Sequence, residues 1–392
     1  MTAQTIDRLS EIVKNYYLPA WKNQLGVEPS PFLEKIKKAP LTSSVIKAGA
    51  PVGINGGFGF GAEGKPTPSA AAQTYKGFTL DAADMYVDIQ ISNKTLQLAT
   101  AGEGAIVDAL DQEIKSSFNA AKWNVGRALF GDPSGILTTI SATSGASNTF
   151  TVADTARLIE GLVIDIYKTG DQVGAVPAQA ARRIVAIDRA AKTVTVDGAA
   201  AEIAAGFITV QNSYGREITG LGAIVNNNVA TLYGVDKATN SWIKPVTVDC
   251  NSDCSDIMIY DGVKQAEDFK GSKIDMIMMG DDAFRAYQEY MRTNNVVNVE
   301  KMVFEGGAAG YKVIVGSREV VIVNERFVPK AEAYGVDTTA FTLYQTDWDF
   351  MQKDGSVFVP MAGTSVFRAL LANYGNLICE NPGGVVHYVN IG

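Results

Sequence analysis

Between Gly104 and Phe130 the chain carries a long proline-free run whose apolar residues, Ile106, Leu110, Ile114, Phe118, Ala121, Val125 and Leu129, step by three or four. That spacing places them on one stripe of an α-helix, with Asp108, Asp111, Gln112, Lys115, Asn119 and Lys122 on the other face. Gly131-Asp-Pro-Ser-Gly135 then stops the helix, since neither the proline nor the glycines favour its continuation. At ~1.5 Å per residue such a helix is about 40 Å long, well beyond the usual globular length. Whatever else the chain forms must lie along one side of a straight beam.

The remainder does not supply a second beam. With 392 residues the chain is too long for one ordinary core, and 38 glycines favour strands and turns over helices. Ile6, Leu9, Ile12, Val13, Tyr16 and Tyr17 have helical spacing, but Pro19, Pro29, Pro31 and Pro40 interrupt the next stretch, so the start reads as an arm. Six glycines between Gly53 and Gly64 surround Phe58 and Phe60, and residues 75–98 then alternate as strands, most clearly over 85–91. This predicts a long projecting hairpin whose phenylalanine-bearing tip needs a surface to cover it. Short apolar runs over 149–211, with a turn at 188–192, predict a small all-strand insertion. Beyond Ser255 the pattern predicts helices at 256–269 and 283–291. Strands are predicted at 274–279, 311–315, 320–323, 341–344 and 365–379.

Several function classes lose their residues. The net charge of −8 and pI near 4.9 argue against a surface that grips DNA phosphates. No apolar run approaches the ~20 residues that cross a bilayer, and the N-terminus has no basic head and apolar core of a secretory signal, so no membrane role is expected. Three cysteines, Cys250, Cys254 and Cys379, leave an odd thiol, which suits folding in a reducing compartment. Gly59-Phe-Gly-Ala-Glu-Gly64 matches the dinucleotide fingerprint in letters only, because Lys65-Pro-Thr-Pro68 stands where a helix must begin. Cys250 and Cys254 form at most half a zinc site. Any hydrolytic triad would depend on the one histidine, His387, in a strand-like stretch without a nucleophile elbow. Asp281 and Asp282 read as helix-start acids. No catalytic, cofactor-binding or metal-ligating residue is expected, and the chain is not expected to be an enzyme.

The module order is arm, glycine-rich loop, long helix, strand insertion, mixed domain and terminal strands. The chain also contains Ala128-Leu-Phe-Gly-Asp-Pro-Ser-Gly135, Tyr214-Gly-Arg-Glu-Ile-Thr-Gly-Leu221, Val320-Val-Ile-Val-Asn-Glu-Arg-Phe-Val-Pro329 and Ala333-Tyr-Gly-Val-Asp337. It closes with Phe367-Arg-Ala-Leu-Leu-Ala-Asn-Tyr-Gly-Asn-Leu-Ile-Cys-Glu-Asn-Pro382. In this order the chain resembles the Hong Kong 97-type major capsid proteins of tailed bacteriophages along essentially its whole length. The resemblance implies an α+β fold with an N-terminal arm (1–46), an extended loop (47–101) and a peripheral domain with its spine helix (102–137). It further implies a peripheral return (215–254), an axial domain (255–330) and C-terminal peripheral strands (331–392). The all-β insertion, 138–214, departs from the minimal plan.

The same resemblance implies a self-assembling shell of hexamers and pentamers enclosing double-stranded DNA. It would be located in the virion and, during assembly, in the host cytoplasm. Portal, scaffold and possible decoration proteins would be its partners. Phe58, Phe60 and Lys65 are the expected subunit-contact residues. Alternatives are an encapsulin-type nanocompartment shell or a strand-rich phage tail or adhesion protein. Some relatives join subunits through lysine–asparagine isopeptide bonds. Lys65, Lys76, Asn373, Asn376 and Asn381 supply the residue types, yet noncovalent shells are expected, since residue types alone fix little geometry. The short arm leaves no room for a large cleaved scaffolding segment, so any scaffold is expected to be a separate protein.

Overall fold

Four apolar clusters organise the fold, and each joins segments far apart in the sequence. The computed structural model describes residues 30–52, 57–63, 69, 72, 74–94, 104–142, 145–202, 205–227, 229–294, 300–303, 309–316, 318–351 and 357–392. The arm helix expected at 6–21 lies outside them. The described chain opens on α1 (Pro31–Lys35), whose N-cap Ser30 accepts the Phe32 N–H at 3.2 Å. Strands β1 (Lys37–Pro40), β2 (Val45–Val52), β3 (Thr74–Asp81) and β4 (Ala83–Ser92) come next. β2 and β3 pair antiparallel without a break from Val45↔Asp81 to Val52↔Thr74. The glycine-rich segment is therefore the tip of a long hairpin. The beam forms as α2 (Gly104–Leu129), one residue shorter than its apolar pattern predicts.

The insertion comprises β5 (Ile136–Ile140), β6 (Thr149–Thr151), β7 (Val163–Lys168), β8 (Gln179–Asp188), β9 (Thr193–Val196) and β10 (Gly206–Val210). Their order is β5-β10-β7-β8-β9-β6. A bridge between Ile140 and Val152, with the Ser141 N–H on the Thr151 carbonyl at 3.2 Å and the Ala153 N–H on that of Thr139 at 3.0 Å, joins β6 back to β5. The all-strand module is thus a closed six-stranded barrel filled by Ile140, Phe150, Ile164, Ile166, Val194 and Ile208 among others. Closure leaves no strand edge to aggregate. Its ends meet where the Gly215 N–H donates to the Ser134 carbonyl at 3.0 Å.

The chain then returns through α3 (Leu221–Val225), the small hairpin of β11 (Thr231–Leu232) and β12 (Val235–Asp236), and β13 (Val246–Asp249). Next come α4 (Asp256–Lys270), β14 (Met276–Met279), α5 (Asp281–Thr293), β15 (Glu300–Val303), β16 (Ala309–Val315), β17 (Arg318–Asn324) and β18 (Ala333–Val336). The last strands are β19 (Phe341–Gln345), β20 (Asp349–Phe350), β21 (Val359–Pro360), β22 (Val366–Cys379) and β23 (Val386–Val389). A seven-stranded sheet runs β13-β23-β18-β14-β17-β16-β15. Both faces of β14 are buried: Ile277 and Met279 share a cluster with residues of α4 and α5, whereas Met276 and Met278 belong to the main cluster on the other face. That accounts for the unbroken apolar run at 276–279. The sheet crosses the expected boundaries at 254/255 and 330/331. β13, β18 and β23, assigned from sequence to the peripheral segments, complete the sheet of the 255–330 region. Pairing between distant strands leaves no mark on local periodicity, so the sequence pattern could not show it.

The second large sheet is centred on β22, which pairs with β4 over ten residue pairs from Val366↔Ser92 to Gly375↔Ala83, and also with β19, β20 and β21. Val87, Ile89, Ile91, Ala369 and Leu371 on its inner face share a core with Phe118 and Ala121 of α2. At the C-terminus of α2, the Arg127 guanidinium binds both carboxylate oxygens of Glu217, at 2.9 and 2.6 Å, with both side chains nearly excluded from water. Just beyond, Gly220 and Gly222 bring their backbone against the carbonyls that end the helix.

This packing is open to two tests. In Gly220→Ala the new Cβ would lie 2.4 Å from the Leu129 carbonyl oxygen, backbone against backbone, and the subunit should lose about 2–3 kcal/mol in urea unfolding. Replacing residues 136–213 by a short glycine-serine linker should leave a soluble subunit that melts cooperatively by circular dichroism. A collapsed or molten product would show that the barrel does not fold as a separate unit.

Candidate subunit interface

The hairpin of β2 and β3 is fixed at its base and free towards its tip. Ile46, Ala50 and Phe78 are buried in the main cluster. The Phe78 ring lies 5.2 Å from Tyr233 and stacks on Trp242 at 5.9 Å, while the Thr79 N–H donates to the Tyr233 carbonyl at 3.0 Å. Tyr233 is held in turn by the Cys379 N–H, which donates to its Oη at 3.1 Å. From Thr74 to Gly77 every residue of β3 is exposed, Tyr75 included. Gly49 and Gly77 are paired across the hairpin, and neither has a neighbouring side chain above it.

At the tip, Phe58 and Phe60 are 81% and 96% exposed, with their rings edge to face at 5.4 Å. Two large aromatic rings held in contact with each other and with water on nearly all sides are a costly arrangement for an isolated chain. The structure thus places both expected tip residues together and outward. Lys65, the third expected contact residue, lies outside the described residues. The place where a dinucleotide-binding helix would have to begin, residues 64–68, also lies outside them.

The other chemistry-bearing residues have structural tasks. Burial pushes the Cys250 thiol up to about 11, Cys254 to about 12 and Cys379 higher still, so all three remain protonated and poor ligands near neutrality. Among the described residues no group of three or more His, Cys, Asp or Glu side chains could hold a metal ion. His387 lies 2.8 Å from Glu332 across the sheet and edge-on to Tyr334. Asp281 and Asp282 occupy the first turn of α5, where Asp281 accepts from the Asn324 amide at 3.0 Å.

The asparagines that could join covalent crosslinks are also engaged. Asn373 is fully buried and donates to the Thr346 carbonyl. The Asn376 amide donates to the Asp81 carbonyl at 2.8 Å, and its oxygen accepts the Thr219 and Leu377 N–H groups at 2.8 and 2.9 Å. Asn381 donates to the Lys270 carbonyl at 2.9 Å. Lys76, by contrast, stands exposed on β3. Sequence reasoning missed the role of Asn376, because a buried amide that joins β22 to the hairpin base and to the segment before α3 has no local signature.

No family model matches the chain, and no curated protein matches it. Among solved structures, the capsid asymmetric unit of cyanophage A-1(L) is similar over 93% of this chain and 93% of its own, at 12% identity and a TM-score of 0.54. A structure of Mycobacterium phage Bobi aligns over 93% of this chain and 92% of its own, at 11% identity and a TM-score of 0.44. The encapsulin SrpI of Synechococcus elongatus PCC 7942 aligns over 91% and 85%, at 7% identity and a TM-score of 0.47. The fold rests on the first of these. It is the α+β fold of tailed-phage capsid proteins, the Hong Kong 97-type fold.

Asn376→Ala should destabilise the subunit by about 2–4 kcal/mol, since it leaves buried backbone groups on three segments without partners. Urea unfolding of the variant measures this. A loss below about 0.5 kcal/mol would show that water replaces the amide and that the site is open.

Proposed function

We propose that this chain is the major capsid protein of a tailed bacteriophage, a structural subunit that assembles with copies of itself into hexamers and pentamers around double-stranded DNA. The observation that carries the reading is the exposed aromatic pair on an anchored hairpin, in a chain similar in fold to a cyanophage capsid structure over 93% of its length. A monomer gains nothing by exposing Phe58 and Phe60. A shell subunit covers them on its neighbour, and full burial of each ring contributes about 1.5–3 kcal/mol to the contact. Lys65 is the third contact residue of this reading. The chain acts by assembly and not by catalysis.

In this scheme residues 1–46 are the arm, the hairpin region is the extended loop, α2 is the spine helix of the peripheral domain, and the seven-stranded sheet with α4 and α5 forms the axial domain. Rigid units of this kind let one subunit shape fill both hexamers and pentamers through small changes at their joints. The acidic balance suits DNA that is confined by the wall with few specific contacts. Portal, scaffold and decoration proteins are the further partners of this scheme. The shell resides in the virion after assembly in the host cytoplasm. Its bonds are noncovalent, which the prior engagement of Asn373, Asn376 and Asn381 supports.

The experiment is the double variant Phe58→Ser/Phe60→Ser. It should remain soluble, with the circular dichroism spectrum and melting transition of the parent, yet give few or no closed shells in electron micrographs. Shells formed in normal yield from that variant would remove the tip from the interface. Trimeric fibres from the parent chain would replace the capsid reading with a tail or adhesion protein.

A further inference from the structure

Glu325 is a buried carboxyl group with no task in the assembly described above. It lies just past β17 and is 3% exposed, and its own N–H is spent on the Met279 carbonyl at 2.8 Å. One carboxyl oxygen accepts the Ser30 hydroxyl at 2.6 Å, and the other accepts the Phe327 N–H at 3.4 Å. Ser30 is the N-cap of α1, so a single hydroxyl caps the helix and also joins it to a segment 295 residues away. Among the described residues, no cation pairs with Glu325. Arg326 is the neighbouring charge that acts on it, but its guanidinium lies over the Phe327 ring at 5.0 Å and its side chain is exposed. Elsewhere around it, α1 carries Glu34 and Lys35, Arg127 of α2 is paired with Glu217, and Asp281 of α5 accepts from Asn324. A glutamine of the same size would accept the Phe327 N–H with its oxygen and donate its amide to the Ser30 oxygen, with no charge to bury.

We propose that Ser30 and Glu325 form a protonation-dependent latch at the root of the N-terminal segment, holding α1 firmly when the carboxyl is neutral and loosening it when the carboxyl ionises. The joint is suited to this because α1 is one turn and a half long and depends on tertiary contacts for its existence. Its anchors, Phe32 and Leu33, enter the main cluster directly beside the latch. An ionised carboxylate this deeply buried, without a paired cation among the described residues, favours opening of the joint to water.

Burial raises the Glu325 carboxyl from its ordinary 4.5 to about 7, with the Ser30 hydrogen bond opposing that rise. The folded state therefore favours the protonated form. Its stabilising contribution is complete below about 4.5 and is lost as the pH rises through about 7. Linkage between those values increases the opening equilibrium roughly 10- to 30-fold from pH 5.5 to pH 8.

Hydrogen–deuterium exchange on the full-length protein, corrected for the intrinsic rate, tests the latch. The peptide covering 31–40 should lose protection by about that factor between pH 5.5 and 8, while the peptide covering β14 holds steady. Glu325→Gln, which keeps the size, reverses the Ser30 bond and removes the titrating group, should make the 31–40 profile flat. Ser30→Ala should move the midpoint to higher pH, because the opposing hydrogen bond is gone. A flat profile in the parent, or an unchanged sloping profile in Glu325→Gln, would overturn the proposal. So would a Ser30→Ala midpoint displaced to lower pH.

Discussion

The closure of the α2 C-terminus is the constraint on which the rest of the subunit depends. A helix of this length ends in carbonyl groups that need partners, and here the chain that returns from the barrel supplies part of the answer. The Ala223 N–H reaches the Gly131 carbonyl at 3.3 Å, and Gly220 and Gly222 allow the backbone to approach where any side chain would collide. Arg127 and Glu217 bind these two segments in a buried two-pronged ion pair. Only when this joint is closed do Phe130, Leu221 and Ile224 share one core with α1 and β14. The barrel can then protrude from the joint without disturbing it, because its two ends are already hydrogen-bonded to each other.

A few buried polar groups fix this arrangement against alternatives of similar hydrophobicity. Lys237 is almost wholly buried, yet its ammonium donates to the Ala223, Ile224 and Asn226 carbonyls at 2.8, 3.0 and 2.8 Å, which closes the end of α3. Desolvation draws its titration down to about 8, so it still carries its charge at neutral pH. Asn376 plays the corresponding part between β22, the hairpin base and the return segment. These groups lie at the fixed end of the hairpin. At the tip, Phe58 and Phe60 are exposed and touch each other, and the contrast between an anchored base and these exposed rings suits the hairpin to an outside contact.

Much of this was legible in the residues, for a physical reason. Where one face of an element is buried, apolar spacing records it. That is why α2, α4, β16 and β22 lie within a few residues of their sequence patterns, and why the turn at 188–192 does join β8 to β9. The hairpin was legible because glycines and exposed phenylalanines have opposite preferences that only an external surface reconciles. Three matters were not legible. Barrel closure depends on a bridge between Ile140 and Val152, and strand order in the seven-stranded sheet depends on β13, β18 and β23, all long-range pairings without a local pattern. The buried polar partners, Lys237, Asn376 and Glu325, look like ordinary surface residues in the sequence, since composition says nothing about where a particular side chain ends up.

The place of β23 bears on when the subunit can be completed during synthesis. It enters the seven-stranded sheet between β13 and β18, parallel to one and antiparallel to the other, although both precede it in the chain. Until β23 emerges from the ribosome, β13 has no partner in that sheet and the Tyr388 ring is missing from the core beneath α4, against Gly262. A nascent chain can form the barrel and the hairpin but not this sheet. The chain therefore reaches its finished shape only after nearly all of it has been made. Unfinished chains on a polysome lack the surface of the complete fold, because the order of their own strands withholds it.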